Sequence, residues 1–341
     1  MKMKKIIIFL FTINFILTSC IPEEQPIKPH SSGNVTVGYV EMGSYYLNQI
    51  YYNLETNTVV STNAFTDWDL AFSCISDTFV IKLNGASMMR VYNTHKINFD
   101  EVSSTDTSLI PIEAWQYDNP KGKLDSTAIG NWWEDIKPGE LISKQEVYII
   151  DRGTNERGRN LGYRKFQILG LENQIYYVRV SNLDGSNKQE IEIPINPSKN
   201  FVQLSLKDSV KVIELEPDFD QWDILFSKYT ELLYTNEGVP TWYGVTGVLL
   251  NRKFVSAILD TSKPFDEITY QDVANLQLSN NINAIGHEWK WYDLSKGVYS
   301  VLPERVYIIK SINGYLYKLH FTAFYNEQGV KGYPKFEFQK L

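Results

Sequence analysis

The side chains able to do chemistry are few. The chain of 341 residues holds two cysteines, Cys20 and Cys74, and four histidines. Two thiols without C-x-x-C spacing exclude a zinc cluster and a disulfide scaffold, so no metal site is expected. Cys74, with no histidine near it in sequence, reads as a small buried residue and not as a nucleophile. The motifs G-x-S-x-G, G-x-G-x-x-G and H-E-x-x-H are absent, as are P-loop and EF-hand patterns. Carboxylate pairs remain, Glu134 with Asp135 and Glu113 with Asp118, which in principle supply an acid and a nucleophile for glycoside hydrolysis. Spacing alone does not bring them across a cleft, and most carboxylates of an acidic chain are solvated. The chain is therefore expected not to be an enzyme. Material for binding is richer: 8 Trp, 17 Phe and 22 Tyr. Clusters such as Trp132-Trp133 and Trp289 to Tyr292 either stack on a flat ligand or pack in a core, and the many tyrosines also suit a protein surface partner. A formal charge of −7 without any clustered basic stretch excludes nucleic acid.

The start of the chain carries an address. Lys2, Lys4 and Lys5 precede an apolar run from Ile6 to Leu17 that is shorter than the roughly 20 residues a membrane-spanning helix needs, which marks a secretion signal. It ends Leu17-Thr18-Ser19-Cys20, a run that resembles the bacterial lipobox. That resemblance implies a leader of residues 1–19 and a mature chain whose first residue, Cys20, is acylated. An ordinary signal with an incidental cysteine is the alternative. Residues 20–34 hold three prolines and almost nothing apolar, and so form a tether. Glu23 and Glu24 within it resemble a surface-export signal of Bacteroidetes-type lipoproteins or are simply solvated. The expected place is the outer membrane, held by lipid and facing the exterior. Acyl chains suffice to hold an anionic body there, at about 0.8 kcal/mol per buried CH₂.

The elements that must position any site repeat. Phe65-Thr66-Asp67-Trp68-Asp69-Leu70-Ala71-Phe72-Ser73 recurs as Phe219-Asp220-Gln221-Trp222-Asp223-Ile224-Leu225-Phe226-Ser227, and Val147-Tyr148-Ile149-Ile150 recurs as Val306-Tyr307-Ile308-Ile309. Two ordered matches at nearly one offset indicate a tandem duplication, with domains at 35–197 and 198–341 and the joint at Pro194 to Ser198. Tyr315, Tyr317, Leu319 and Phe321 alternate with Leu316, Lys318, His320 and Thr322, the period of a half-buried strand. Tyr163 to Ile168, Ile175 to Val180 and Lys335 to Gln339 behave alike. Asp184-Gly185, Asn313-Gly314 and Glu237-Gly238 mark turns. Helical spacing is scarce, Thr269 to Leu278 being the best candidate. The fold class is all-β: mainly antiparallel, few short helices, two similar tandem domains. Trp68 and Trp222 are expected in the cores, with Trp68, Leu70 and Phe72 on one strand face and Asp69 accepting hydrogen bonds from turn backbone.

The tryptophan strand, the Asn- and Gly-containing segment Lys82-Leu83-Asn84-Gly85 and the run Arg305 to Phe321 together resemble the HmuY-like family of haem-binding lipoproteins. The resemblance covers most of each half, with a longer polar connection at Thr154 to Asn160 in the first. It implies a membrane-anchored, mostly β, haem-capturing module without enzymatic activity, haem being its cofactor. By the same resemblance the family's carrier holds iron between two histidines. Counting back from Val306 and Val147 by the family's spacing lands on Asp293 and Glu134, neither a good haem ligand. The substitutes are His287 beside Trp289 and Trp291 in the second half, and Met88, Met89 and His95 in the first. The alternative is an accessory subunit of an outer-membrane machine, with the duplicated domain as docking surface for a membrane protein partner.

Overall fold

The computed structural model describes residues 32–341 apart from 77, 108, 138 and 139. The leader, Cys20 and most of the tether lie outside the described residues. Nearly all regular structure is antiparallel strand, in two five-stranded sheets, two four-stranded sheets and two small hairpins. The fold class read from alternation is therefore the observed one. Tyr317, Leu319 and Phe321 face a core with Ile224, Phe226 and Phe336. Each such buried side chain contributes about 1.5–3 kcal/mol. The Asn313-Gly314 turn reverses the chain because Gly314 takes a φ of 79°, a region open to a residue without Cβ. The predicted helix at 269–278 is shorter than its pattern, spanning only Tyr270–Val273.

The duplication is visible strand by strand. One five-stranded sheet orders Gln189–Pro194, Ile175–Ser181, Tyr163–Glu172, Val147–Asp151 and Arg90–Asn93; the other orders Thr36–Tyr39, Lys331–Lys340, Leu316–Tyr325, Val306–Lys310 and Ser256–Asp260. Strand pairing, however, crosses the expected joint at 197/198 in both directions. Phe201–Ser205, from the second copy, pairs with Leu70–Ser73 of the first, and Asn48–Asn53, from the first, pairs with Ile224–Tyr234 of the second. Thr36–Tyr39 likewise lies on Lys331–Lys340 near the chain end. Val202, Leu204 and Leu206 thus belong to the core of Leu70, Phe72 and Phe166, while Ile50, Tyr52 and Leu54 belong to that of Ile224, Phe226 and Phe321. The halves 35–197 and 198–341 are not self-contained: each lends its first strands to the other.

The repeated Trp-Asp pair holds this exchange together. Asp69 Oδ2 accepts from the Leu206 amide at 2.5 Å, and Asp223 Oδ2 accepts from the Leu54 amide at 2.8 Å, so each aspartate grips the end of the lent strand. Asn84 and Asn251 also correspond. Each amide nitrogen donates to two carbonyls, Phe65 and Trp68 in one copy and Phe219 and Trp222 in the other, all at 2.7 Å. Trp222 is buried as expected, and Trp68 departs from expectation. Trp68 ends a 3-10 turn at Phe65–Asp67, and the strand starts only at Leu70, so the bend at Asp69 resets the alternation. Trp68 packs with Ala71, Val80 and Phe201 on the face opposite Leu70 and Phe72, and is half-buried. Trp222 is 5% exposed and meets Tyr51 edge-on at 4.9 Å, again outside the main core.

Candidate functional site

The two copies differ most in one hairpin. Leu70–Ser73 and Ile81–Leu83 pair over three residues, whereas Ile224–Tyr234 and Pro240–Leu250 pair along their whole length, from Ile224 with Leu250 to Tyr234 with Pro240. The overhanging part of this hairpin has two faces. On one, Gly247 lets the segment 283–288 lie against the strand: a Cβ there would stand 2.3 Å from the Gly286 carbonyl oxygen and 2.9 Å from the His287 nitrogen. Reciprocal backbone bonds between Val248 and Gly286 fix the register.

This docking sets His287 beside Tyr229, with Nδ1 3.2 Å from the hydroxyl oxygen. Glu231 stands on the same strand face, and its Oε2 accepts from Asn283 at 2.9 Å. Burial, then Glu231, hold the Tyr229 hydroxyl protonated far above its ordinary value. Burial, then Lys290, push the His287 imidazole below its ordinary value, so it is neutral at pH 7. The Tyr229 hydroxyl thus engages Nδ1 and leaves Nε2 as the ring nitrogen without a hydrogen-bond partner among the described residues. That orientation through a hydrogen-bonded partner is the one metal-ligating histidines use.

Next to His287 opens a groove of about 550 Å³, lined among others by Tyr243, Thr246, Lys290, Trp291, Tyr299 and Arg305. Trp291 is 48% exposed, and Tyr292 stands 4.8 Å from Tyr299. A second cavity of about 330 Å³ shares His287 and Glu288 and is lined by Tyr229, Glu231, Asn283 and Tyr307. Both volumes fall in the range of small-molecule sites, roughly 300–1,000 Å³. Arg305 is committed to Glu288, whose carbonyl and carboxylate both accept from it.

Among the residues singled out by sequence, His287 and Trp291 share this groove. Trp289 does not line it: the ring is buried and stacked 4.0 Å from Phe321, a core position. The first-half set does not converge. Met89 is 1% exposed inside the core with Leu70 and Val91. His95 projects into solvent and bonds Glu146 at 2.9 Å. Met88 rests against the cross-strand pair Thr230 and Gly244, on the hairpin face to which the Thr230 side chain points, opposite Tyr229 and His287. Of the carboxylates, Asp118 spends both oxygens on the Leu83 and Ala128 amides. No grouping of three or more His, Cys, Asp or Glu suited to a metal ion occurs among the described residues.

Sequence reasoning missed Tyr229, Glu231, Asn283 and Lys290. A signal existed: Ala128-Ile129-Gly130 and Ala284-Ile285-Gly286 each precede a buried tryptophan, Trp132 and Trp289, and the second copy inserts one residue there. His287 stands at that insertion, where the first copy has Asn131 alone.

Comparison with known proteins identifies a family. The family model of the HmuY protein matches residues 45–338. Among solved structures, apo PinO from Porphyromonas gingivitis is similar at 12% identity over 90% of this chain and 97% of its own, with a TM-score of 0.28. An apo HmuY analog from Tannerella forsythia is similar at 10% identity over 91% and 98%, with a TM-score of 0.20. None of the curated proteins compared matches the chain. With most of its length covered by the family model, the chain belongs to the HmuY family.

Proposed function

We propose that the protein is a non-enzymatic lipoprotein of the outer membrane, anchored through Cys20 and exposed at the cell surface, that binds haem or a similar flat aromatic ligand in the groove beside His287. The observation that carries the reading is the placement of His287, held through Nδ1 by Tyr229, at the edge of an aromatic groove. The residues fit haem as a site with one imidazole: Nε2 would hold the iron, and Tyr243, Trp291 and Tyr299 would flank the ring. Bound iron would supply a coordination bond to that nitrogen. The rest of the binding energy comes from burying apolar ring surface and from the protein's fixed dipoles. No second imidazole or thioether lines the groove, and Met88 lies across the hairpin, so bis-histidine ligation does not follow from this chain.

Titration of the purified mature protein with haemin tests the reading. A sharp Soret shift that weakens in His287→Ala and persists in the Met88, Met89 and His95 triple substitution supports it. No shift at micromolar haemin overturns it. The exposed Tyr234, Val239, Leu294 and Val298 at the tips of the two hairpins favour a second reading, docking to an outer-membrane partner. A pull-down from detergent-solubilised outer membrane that recovers only this chain would count against that one.

A further inference from the structure

Buried lysines in this protein are of two kinds. Lys165 and Lys318 occupy equivalent positions, opposite Ile149 and Ile308 in matching strand pairs. Lys165 donates to the Phe99 and Val102 carbonyls and Lys318 to the Phe265 and Ile268 carbonyls, each ammonium standing 4.7 Å from a phenylalanine ring. They recur because each copy needs its Phe-Asp-Glu turn tied down. Lys290 does not recur. It follows Trp289 as Trp133 follows Trp132, and the residues after these hairpins bond back alike, Leu302 to Trp289 and Lys144 to Trp132. The first copy fills the position with an indole packed 5.7 Å from Phe79. The fold therefore does not require an ammonium there.

Its surroundings make the lysine costly to keep. Lys290 is 6% exposed, and the one hydrogen bond recorded for its ammonium goes to the Thr246 carbonyl at 2.5 Å. Trp289, Phe324 and Tyr299 box it in at 4.2, 4.9 and 5.6 Å from their ring centres. No carboxylate among the described residues forms an ion pair with it. Burial alone pushes its pKa down to about 7. Two donor protons stay without a recorded partner, and the side chain lines the open groove. The carbonyl and the ring faces offset part of the burial cost but supply no counter-charge, so an anion brought by the ligand would gain a charge-assisted bond in a desolvated place.

We propose that Lys290 is the carboxylate-recognising residue of the groove, so that its ligand is a flat aromatic ring system bearing at least one acid group. Arg305 cannot replace it without releasing Glu288. The inference rests on the groove reading above but not on the iron ligand. Iron-free protoporphyrin and its dimethyl ester, titrated side by side by porphyrin fluorescence, separate the two. The free acid should bind about tenfold or more tighter than the diester, and Lys290→Met should bring that ratio close to one. Equal binding of acid and diester by the wild-type protein overturns the role of Lys290 while leaving the groove reading intact. So does an acid preference that survives in Lys290→Met. Binding of neither porphyrin overturns the groove reading and the inference with it. The wild-type ratio needs no variant, so poor folding of Lys290→Met does not blunt the test.

Discussion

Replacing Asp69 with alanine should be among the most damaging single changes outside the apolar core. The carboxylate is 2% exposed and serves three donors: the Leu206 amide, Arg152 Nε at 2.8 Å and Arg152 Nη2 at 3.3 Å. Arg152 is itself buried, and its remaining recorded bond goes to the Leu161 carbonyl. Alanine would strand a buried guanidinium, worth about 3–5 kcal/mol, and an unsatisfied amide, worth about 1–3 kcal/mol. Against a total stability of roughly 5–15 kcal/mol this leaves a marginal fold. The double variant Asp69→Ala with Arg152→Met should recover much of the loss, since the stranded charge is gone. Urea unfolding followed by tryptophan fluorescence and by far-ultraviolet dichroism measures both quantities. The two probes should coincide in one transition, because Leu206 sits on a strand lent by the second copy and neither lobe can open without breaking the other's sheet. A loss below about 1 kcal/mol would refute the assignment of the charge as buried and paired. Two separated transitions, one at the wild-type midpoint, would refute the strand exchange as the source of cooperativity.

Asp223→Ala should cost less than Asp69→Ala in the same assay, because its partners are the Leu54 and Ile312 amides and no buried cation is stranded. Lys290 loses its proton near pH 7 in the folded chain but only near 10.5 when free, so between those values the unfolded chain holds the extra proton and stability rises with pH. The stability of wild type minus Lys290→Met should therefore climb by up to about 1.4 kcal/mol per pH unit from pH 7 to 9, and a flat difference would contradict the burial of that charge. Gly247→Ala should displace the segment 283–288 and weaken haemin binding as much as His287→Ala does, because the added carbon would collide with the Gly286 carbonyl; unchanged binding would show that this docking does not position the imidazole. On the proposed lipidation, Cys20→Ser should move the chain from the membrane to the soluble fraction, since an acidic body has the wrong charge to hold anionic lipid without acyl chains; retention in the membrane pellet would count against lipidation.

Much of the fold was legible because it is written locally. Period-two alternation, Gly turns and the recurrence of Val-Tyr-Ile-Ile depend on neighbours a few residues away, and the strands fell where those signals put them. Pairing partners are not written that way. Phe201–Ser205 and Asn48–Asn53 both mix apolar and polar side chains without a feature that names a partner strand, so nothing in their pattern says that each crosses to the other copy. The face of Trp68 was misjudged for a related reason: alternation presumes an unbroken strand, and the bend at Asp69 breaks it. The site was legible only in part. His287 and Trp291 could be suspected from residue type, but the Tyr229 that holds the imidazole lies on a hairpin, 58 residues earlier in the chain, whose overhang shows only in three dimensions. Met88 and Met89, adjacent in sequence, end on opposite sides of a core boundary, because Met88 adopts a left-handed backbone at φ 60° that turns the chain.

The duplication supplies a control that a single domain lacks. Positions that both copies keep, such as the Asn84 and Asn251 amides, the Asp69 and Asp223 carboxylates and the Lys165 and Lys318 ammoniums, satisfy backbone groups that any copy of this fold would leave bare, and their chemistry is spent on folding. Some polar groups found in one copy alone are also spent on folding, as Arg152 is on Asp69 where the second copy has Ser311. His287 at the insertion after Gly286, Lys290 in place of Trp133, and the hairpin that overhangs by comparison with Leu70–Ser73 are not tied to a shared backbone need; all fall in the second copy, and all border the same groove. Three independent departures from the shared pattern would scatter over the surface if they were neutral drift. Their convergence on one concave, aromatic-lined place is the physical reason to look for the ligand in the second copy, and to treat the first as the partner that lends it strands.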